Sequence, residues 1–86
     1  MRLDKWLKVS RLIKRRTVAK TVVESGRARL NGRPAKPATE VSVGDRLELD
    51  LGGGMVTVVV EATPESVPAA QAASLYRVVG ENPGGA

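Results

Sequence analysis

The first residues of the chain alternate apolar and polar side chains with the period of an amphipathic helix. Leu3, Trp6 and Leu7 recur at three- and four-residue spacing, and Ser10 continues the same face. Because this spacing places them on one side of a helix, residues 2–9 are predicted to be helical. The apolar side of this helix, including Trp6, is expected to face the protein core.

A second helix is predicted after a connection that spans residues 11–16. Thr17 is a residue type favoured at the N-cap, and Gly26 suits the position that follows a last helical turn. This helix is expected to bury one stripe of side chains: Val18, Ala19, Val22 and Val23.

After Gly26 the pattern changes to a period of two, which is typical of strands. Asn31-Gly32 strongly favours a tight hairpin turn. Strands are predicted over residues 27–30, 33–36, 46–51 and 55–62. Residues 75–79 are compatible with an edge strand or with a short packed extension. The pattern therefore predicts two helices followed by a small, mainly antiparallel sheet.

The length and composition limit what such a chain can do. With 86 residues there is room for one domain. The absence of Cys and His removes disulfides, thiol nucleophiles, the usual proton shuttle and the commonest metal ligands. We therefore expect a non-catalytic protein without metal or cofactor. Its apolar runs fall far below the roughly 20 residues of a membrane span, and no signal-peptide pattern precedes them, so a cytoplasmic location is expected.

Charge is distributed very unevenly along the chain. Residues 1–36 contain twelve Lys and Arg against two acids, a net charge of +10, whereas residues 37–86 contain two Arg against seven acids, a net charge of −5. Such segregation favours a basic face that binds a polyanion through phosphate neutralisation and counterion release. The alternative is a charged surface that serves solubility alone.

Several short motifs resemble the S4 RNA-binding domain. They are Arg2-Leu3-Asp4-Lys5-Trp6-Leu7, Ser10-Arg11, Lys14-Arg15-Arg16-Thr17, Gly26-Arg27 and Asn31-Gly32. The resemblance covers residues 1–62 and implies an S4-like α+β fold, with two N-terminal helices packed on a small, mainly antiparallel sheet. Residues 63–80 are then expected to form an extension packed on the same domain, and residues 81–86 a flexible tail.

Later segments resemble the heat-shock protein 15 family, which includes short ribosome-associated quality-control S4 proteins. The segments are residues 35–39, 57–62 and 72–76. Residues 9–17 are similar to the quality-control subgroup, whereas Trp6 is more typical of the heat-shock subgroup. The resemblance implies binding to the large ribosomal subunit, between its rRNA and a P-site peptidyl-tRNA. It also implies a partner elongation factor that recruits alanyl-tRNA for C-terminal alanine tailing of the nascent chain.

The candidate RNA-binding residues are long cations in the first two helices and their connection. Arginine forks can hold two phosphate oxygens, and lysines act as mobile point charges. The predicted contacts are Arg2, Lys5, Arg11, Lys14, Arg15, Arg16 and Lys20. The resemblance makes Arg2 and Arg16 the foremost rRNA and tRNA contacts. Free N–H groups at the start of the second helix are expected to add an anion site.

Other residues are predicted to orient or extend this surface. They are Asp4, Thr17, Arg29, Arg33 and Lys36. Asp4 has two interpretations: a helix-start carboxylate that pairs with Lys8, or a group that orients Arg2 or a neighbouring arginine. Thr17 is interpreted first as a cap, and Asn31-Gly32 first as a turn.

The sequence leaves four alternative functions. S4 domains accompany RNA-modifying enzymes and tRNA synthetases, but a catalytic domain has no residues left here. A heat-shock 15 type factor that recycles free large subunits, or a permanent structural protein of the ribosome, would use the same RNA-binding surface. DNA binding is a weaker alternative. A monomer is expected, although the sheet edge near Tyr76 offers a place for another chain to pair.

Overall fold

Two short helices precede a five-stranded sheet, and a 3-10 helix lies before the last strand. The computed structural model describes residues 1–83. The elements are α1 (Leu3–Val9), α2 (Arg16–Glu24), β1 (Ala28–Leu30), β2 (Arg33–Pro34), β3 (Arg46–Asp50), β4 (Gly54–Val60), the 3-10 helix (Ala69–Leu75) and β5 (Tyr76–Pro83). No helix within this range is long and apolar enough to cross a membrane.

The strands form one antiparallel sheet in the order β2-β1-β3-β4-β5. Leu47 of β3 lies between Leu30 of β1 and Val58 of β4. These side chains are buried in a row, because alternate residues of each strand point to the same face. The α+β architecture with a mainly antiparallel sheet is confirmed.

Both helices pack their apolar sides on one face of this sheet. The shared core contains Leu3, Trp6, Leu7, Ala19, Val23, Leu30, Leu47, Leu49, Val58 and Val60. Trp6 is fully buried, its ring meets the Tyr76 ring edge-on, and its Nε1–H donates to the Ala62 carbonyl at 2.9 Å. The prediction that Trp6 belongs to the core is confirmed.

The start of α2 differs from its prediction. The helix begins at Arg16, and its N-cap is Arg15 in extended conformation, so Thr17 lies inside the first turn and is not the cap. Val18 is 46% exposed, whereas Ala19 and Val23 are buried. A nine-residue helix contacts its neighbours along one narrow stripe, and Val18 lies beyond the edge of that stripe. The predictions of Thr17 as the N-cap and of Val18 as a buried residue were wrong, and a secondary role of Thr17 in RNA binding stays a prediction.

Helix α2 ends before Gly26, as the sequence predicted. Gly26 adopts a φ of +82°, which a residue with a Cβ reaches only at a cost. Its N–H donates to the Val23 carbonyl, and the Arg27 N–H donates to the Val22 carbonyl. This pair of bonds is the Schellman arrangement, which satisfies carbonyls that a helix end leaves free.

Asn31-Gly32 forms the predicted hairpin turn between β1 and β2. Both residues have positive φ, 53° and 81°, as a type I′ turn requires. The Asn31 side chain also donates to the Asp45 carboxylate at 3.1 Å and accepts from the Arg46 N–H at 2.9 Å. The turn therefore also holds the beginning of β3.

The C-terminal part forms a longer strand than the sequence predicted. β5 pairs with β4 along its whole length, so that Glu81 lies opposite Val56 and Pro83 opposite Gly54. The strand interpretation of residues 75–79 is thus correct for residues 76–79. Residues 81–83 belong to β5, because the long β4 supplies partners for them. The flexible tail predicted for residues 81–86 stays a prediction, and residues 84–86 lie outside the described range.

Candidate RNA-binding surface

The N-terminus of α1 is fixed by the loop that precedes β3. The Leu3 N–H donates to the Thr39 carbonyl at 2.9 Å, and the Asp4 N–H donates to the Pro37 carbonyl at 3.1 Å. The Val41 N–H donates to the Met1 carbonyl at 2.9 Å. The bonds to Leu3 and Asp4 satisfy helix-start donors that would otherwise need water. Together the three bonds fix the backbone around Arg2, the first of the predicted contacts.

Asp4 is the centre of an ion-pair cluster on α1. The residue is 3% exposed, and its carboxylate accepts two hydrogen bonds from the Arg2 guanidinium, each 3.2 Å long. The Lys5 backbone N–H donates to Asp4 Oδ1 at 2.8 Å, and Arg16 Nη2 lies 3.5 Å from the same oxygen. Of the two interpretations of Asp4, the arginine-orienting one matches this geometry. Lys8 is not among its partners in residues 1–83.

The surroundings of Asp4 keep it ionised. Burial by itself would raise the pKa of the Asp4 carboxyl, but the hydrogen bonds from Arg2 and Lys5 and the nearby charge of Arg16 outweigh it. The net result is a pKa below the ordinary value of 3.8. Asp4 therefore carries a full negative charge at neutral pH and attracts both guanidinium groups.

The two arginines held by Asp4 still present donors to the outside. Their side chains are about half exposed, 50% for Arg2 and 48% for Arg16. A guanidinium has five N–H donors, and Asp4 takes two from Arg2 and one from Arg16. One carboxylate faces two cations, so the cluster keeps a net positive charge. Such a pair of preoriented forks can hold phosphate oxygens with little loss of side-chain entropy.

A cleft of about 250 Å³ lies beside this cluster. It is lined by Lys5, Lys8, Val9, Arg11, Arg16, Glu65, Ser66 and Val67. Four of these side chains are cationic, and they come from α1, from the connection after it and from the start of α2. The cleft therefore collects positive charge where the two helices meet.

Arg11 reaches the cleft from an unusual backbone conformation. It follows the C-cap Ser10 and has a φ of 64°, the left-handed region that glycine normally occupies at a helix end. Its N–H donates to the Lys8 carbonyl at 3.1 Å. A non-glycine residue in this region is strained, and such strain often lies at functional sites.

The other predicted contacts lie around the start of α2. Lys14, Arg15 and Lys20 are exposed. The Arg15 side chain makes no capping hydrogen bond, so the first N–H groups of α2 are not closed by it. The anion site predicted there stays a prediction.

Three of the secondary candidates, Arg29, Arg33 and Lys36, are not among the residues that line the cleft. Arg29 projects from the sheet face opposite the helices, beside Glu48 and Asp50, because it alternates with buried Ala28 and Leu30. Arg33 is exposed in the edge strand β2. Lys36 lies near the end of α2, beside Glu24. Their role in RNA binding is untested, and the geometry favours the residues around the cleft over them.

Two charged members of the cleft were absent from the predicted site. Lys8 could have been found from its three-residue spacing from Lys5, which puts both on one helix face. Glu65, whose carboxylate forms an ion pair with the Lys5 ammonium, had no comparable signal. Lys5 and Glu65 are 60 positions apart, and only the tertiary fold brings them together.

Comparison with known proteins agrees with this fold. Residues 1–47 match the S4 domain family. The chain belongs to the S4 domain family. It is 52% identical to the RQC P-site tRNA stabilizing factor of Listeria monocytogenes, over 94% of this chain and 88% of that protein. It is 39% identical to Heat shock protein 15 of Escherichia coli strain K12, over 95% of this chain and 62% of that protein.

A solved relative has the same fold as this S4 protein. The trimeric structure of Vibrio cholerae Heat Shock Protein 15 superposes with a TM-score of 0.86 at 36% identity, covering 92% of this chain and 81% of that one. The resemblance to the S4 domain and to the heat-shock protein 15 family is thus confirmed. The assignment of individual residues to RNA contacts is not tested by these similarities.

Proposed function

We propose that this protein is a non-catalytic factor that binds structured RNA of the large ribosomal subunit together with P-site peptidyl-tRNA. The observation that carries the proposal is the Asp4 cluster, in which one buried carboxylate orients Arg2 and Arg16 beside a cationic cleft. The cluster is contributed by α1 and α2, the elements that the S4 match covers.

The chemistry of this surface suits double-helical RNA. The base edges of an RNA duplex lie in a deep, narrow groove, so proteins contact its phosphates and 2′-hydroxyls. Rigidly held arginines with exposed donors can match a fixed phosphate spacing. The relatives named RQC P-site tRNA stabilizing factor support the choice of ribosome and tRNA as the targets.

The finer part of the proposal concerns the rescue of stalled ribosomes. We infer that the protein acts in the cytoplasm, as a monomer, on large subunits that retain peptidyl-tRNA. There it holds the tRNA while an elongation factor recruits alanyl-tRNA for C-terminal alanine tailing. The similarity to Heat shock protein 15 supports a second candidate, the recycling of free large subunits through the same surface.

The test is sedimentation of the tagged protein from a cell lysate. Free large subunits, intact ribosomes and large subunits that carry peptidyl-tRNA are compared. We expect wild type to be enriched on the peptidyl-tRNA-bearing subunits, and Arg2→Ala with Arg16→Ala to lose that enrichment. Equal occupancy of every particle would indicate a structural protein, and enrichment on free subunits the recycling function.

Two further double variants separate RNA contact from folding. Removing Arg2 and Arg16 leaves Asp4 buried without its two cationic partners, so that variant also loses stability. Lys14→Ala with Arg15→Ala removes the same charge from side chains that form no ion pair within residues 1–83, and should also reduce binding. Arg29→Ala with Arg33→Ala, away from the helices, should bind like wild type.

A further inference from the structure

The segment between β4 and the 3-10 helix is held against α1. At its start the Ala62 carbonyl accepts the Trp6 indole N–H. At its end Val67 packs against the core cluster. Pro64 and Pro68 flank residues 65–67 and restrict the backbone there. Glu65 and Ser66 are thus placed by contacts on both sides.

Glu65 is an anion already present in the cationic cleft. Its carboxylate pairs with the Lys5 ammonium, and Lys8, Arg11 and Arg16 line the same cleft. The hydrogen bond and charge of Lys5 hold the pKa of Glu65 below its usual value, so the group is ionised at neutral pH. A carboxylate and a phosphate present similar oxygens to an ammonium or guanidinium.

The ion pair is one that a ligand can displace. The Glu65 side chain is 83% exposed and that of Lys5 33%. Ion pairs between exposed side chains contribute little, because water and salt screen them. A phosphate oxygen that meets several cations at once gains more than this single pair contributes.

We propose that the cleft between α1 and the Glu65–Val67 segment is a phosphate-binding subsite, which Glu65 fills in the free protein and leaves when an RNA phosphodiester enters. This inference rests on the proposed RNA-binding function and deepens it. Glu65 acts as a competitor that weakens binding to isolated RNA. An RNA must then supply contacts beyond the cleft, such as one to Arg2, to be held firmly.

The experiment measures binding of a fluorescein-labelled RNA hairpin by fluorescence anisotropy at physiological ionic strength. Glu65→Gln keeps the shape of the side chain and removes its charge. We expect it to lower Kd by about two- to fivefold, the range of one exposed ion pair. An unchanged or higher Kd would overturn the inference.

Glu61→Gln is the matched control for net charge. Glu61 also forms an exposed ion pair, with Arg77 at 3.0 Å, but it is not part of the cleft lining. We expect this variant to bind the hairpin like wild type. An equal gain from Glu61→Gln would show a general charge effect and overturn the subsite.

A double-variant cycle tests the link between Glu65 and Lys5. In a Lys5→Gln background, Glu65→Gln should no longer lower Kd by the same factor, because the ion pair is already absent. A full gain in that background would contradict the proposal. If wild type itself fails to bind the hairpin, the proposed function falls, whereas binding by wild type with no effect of Glu65→Gln overturns this inference alone.

Discussion

At the scale of single residues, Asp4 decides both stability and the geometry of the arginines. Its buried carboxylate has three donors within hydrogen-bonding distance in Arg2 and Lys5, and Arg16 adds a nearby charge. A buried acceptor of this kind is costly to alter, because the donors around it are arranged for a charged group. Asp4 therefore couples folding to the orientation of the RNA-binding surface.

We expect Asp4→Asn to lower the free energy of unfolding at neutral pH by about 1 to 3 kcal/mol. The folded-state pKa of Asp4 lies below 3.8, so the stability that it contributes is present above that pH and is lost as the pH falls through the lowered pKa. Urea denaturation followed by Trp6 fluorescence, at neutral and at acidic pH, measures the stability lost in Asp4→Asn and its dependence on pH.

The difference between wild type and Asp4→Asn should therefore shrink in acid. Glu81→Gln, which removes the same charge from an exposed position on β5, serves as the control and should change stability little. A stability difference that is constant from neutral to acidic pH would refute the role assigned to the ionised Asp4.

At the scale of elements, the end of α1 is strained at Arg11, whose side chain lines the cationic cleft. Gly26 ends α2 with the residue type that its conformation favours, whereas α1 is followed by Arg11 in the same left-handed region. We attribute this difference between the two helix ends to a requirement for the Arg11 side chain in the cleft. Helix α1 thus tolerates local strain beside the predicted site.

We expect Arg11→Gly to raise the free energy of unfolding by about 0.5 to 1 kcal/mol, because glycine adopts a positive φ without the Cβ clash. The same change should weaken binding to an RNA hairpin, since it removes one cation from the cleft. Chemical denaturation and fluorescence anisotropy provide the two measurements. Arg11→Ala is the matched control: it should weaken binding equally but gain no stability.

The elements that the sequence predicted are those defined by local signals. Gly26, the Asn31-Gly32 turn and the Trp6 face depend on neighbours a few residues away, and all three were correct. Val18 was placed wrongly, because which side of a short helix is covered depends on the elements packed against it. The extent of β5 was also missed, since its pairing is set by the length of β4.

The site shows the same division between local and tertiary information. Charge segregation predicted a basic face, and the structure places Arg2, Lys5, Arg11 and Arg16 together. The place of Glu65 could not be predicted from its sequence neighbours, because its partner Lys5 lies 60 positions away and only the tertiary fold brings the two together. Long-range contacts carry no signature in local spacing.

At the scale of the whole molecule, the fold separates two basic regions that are close in sequence. Arg15 lies at the start of α2, and Arg29 lies on the sheet face opposite the helices, next to Glu48 and Asp50. Only Arg15 adjoins Arg16 and the cation-lined cleft. Acidic neighbours on the outer sheet face reduce its attraction for phosphate. RNA should therefore contact one side of the molecule.

This one-sided binding predicts how single charge removals change the salt dependence. Removing one cation that binds a phosphate should reduce the slope of log K against log salt by about one unit. We expect Arg15→Ala to weaken hairpin binding and reduce the slope in this way. Arg29→Ala removes an equal charge, yet its affinity and slope should match wild type, because its side chain lies on the other sheet face. Anisotropy titrations over a series of salt concentrations make the comparison. If both variants show the same reduction in slope, RNA contacts both faces, and the charged surface acts as a diffuse field with no defined contact site.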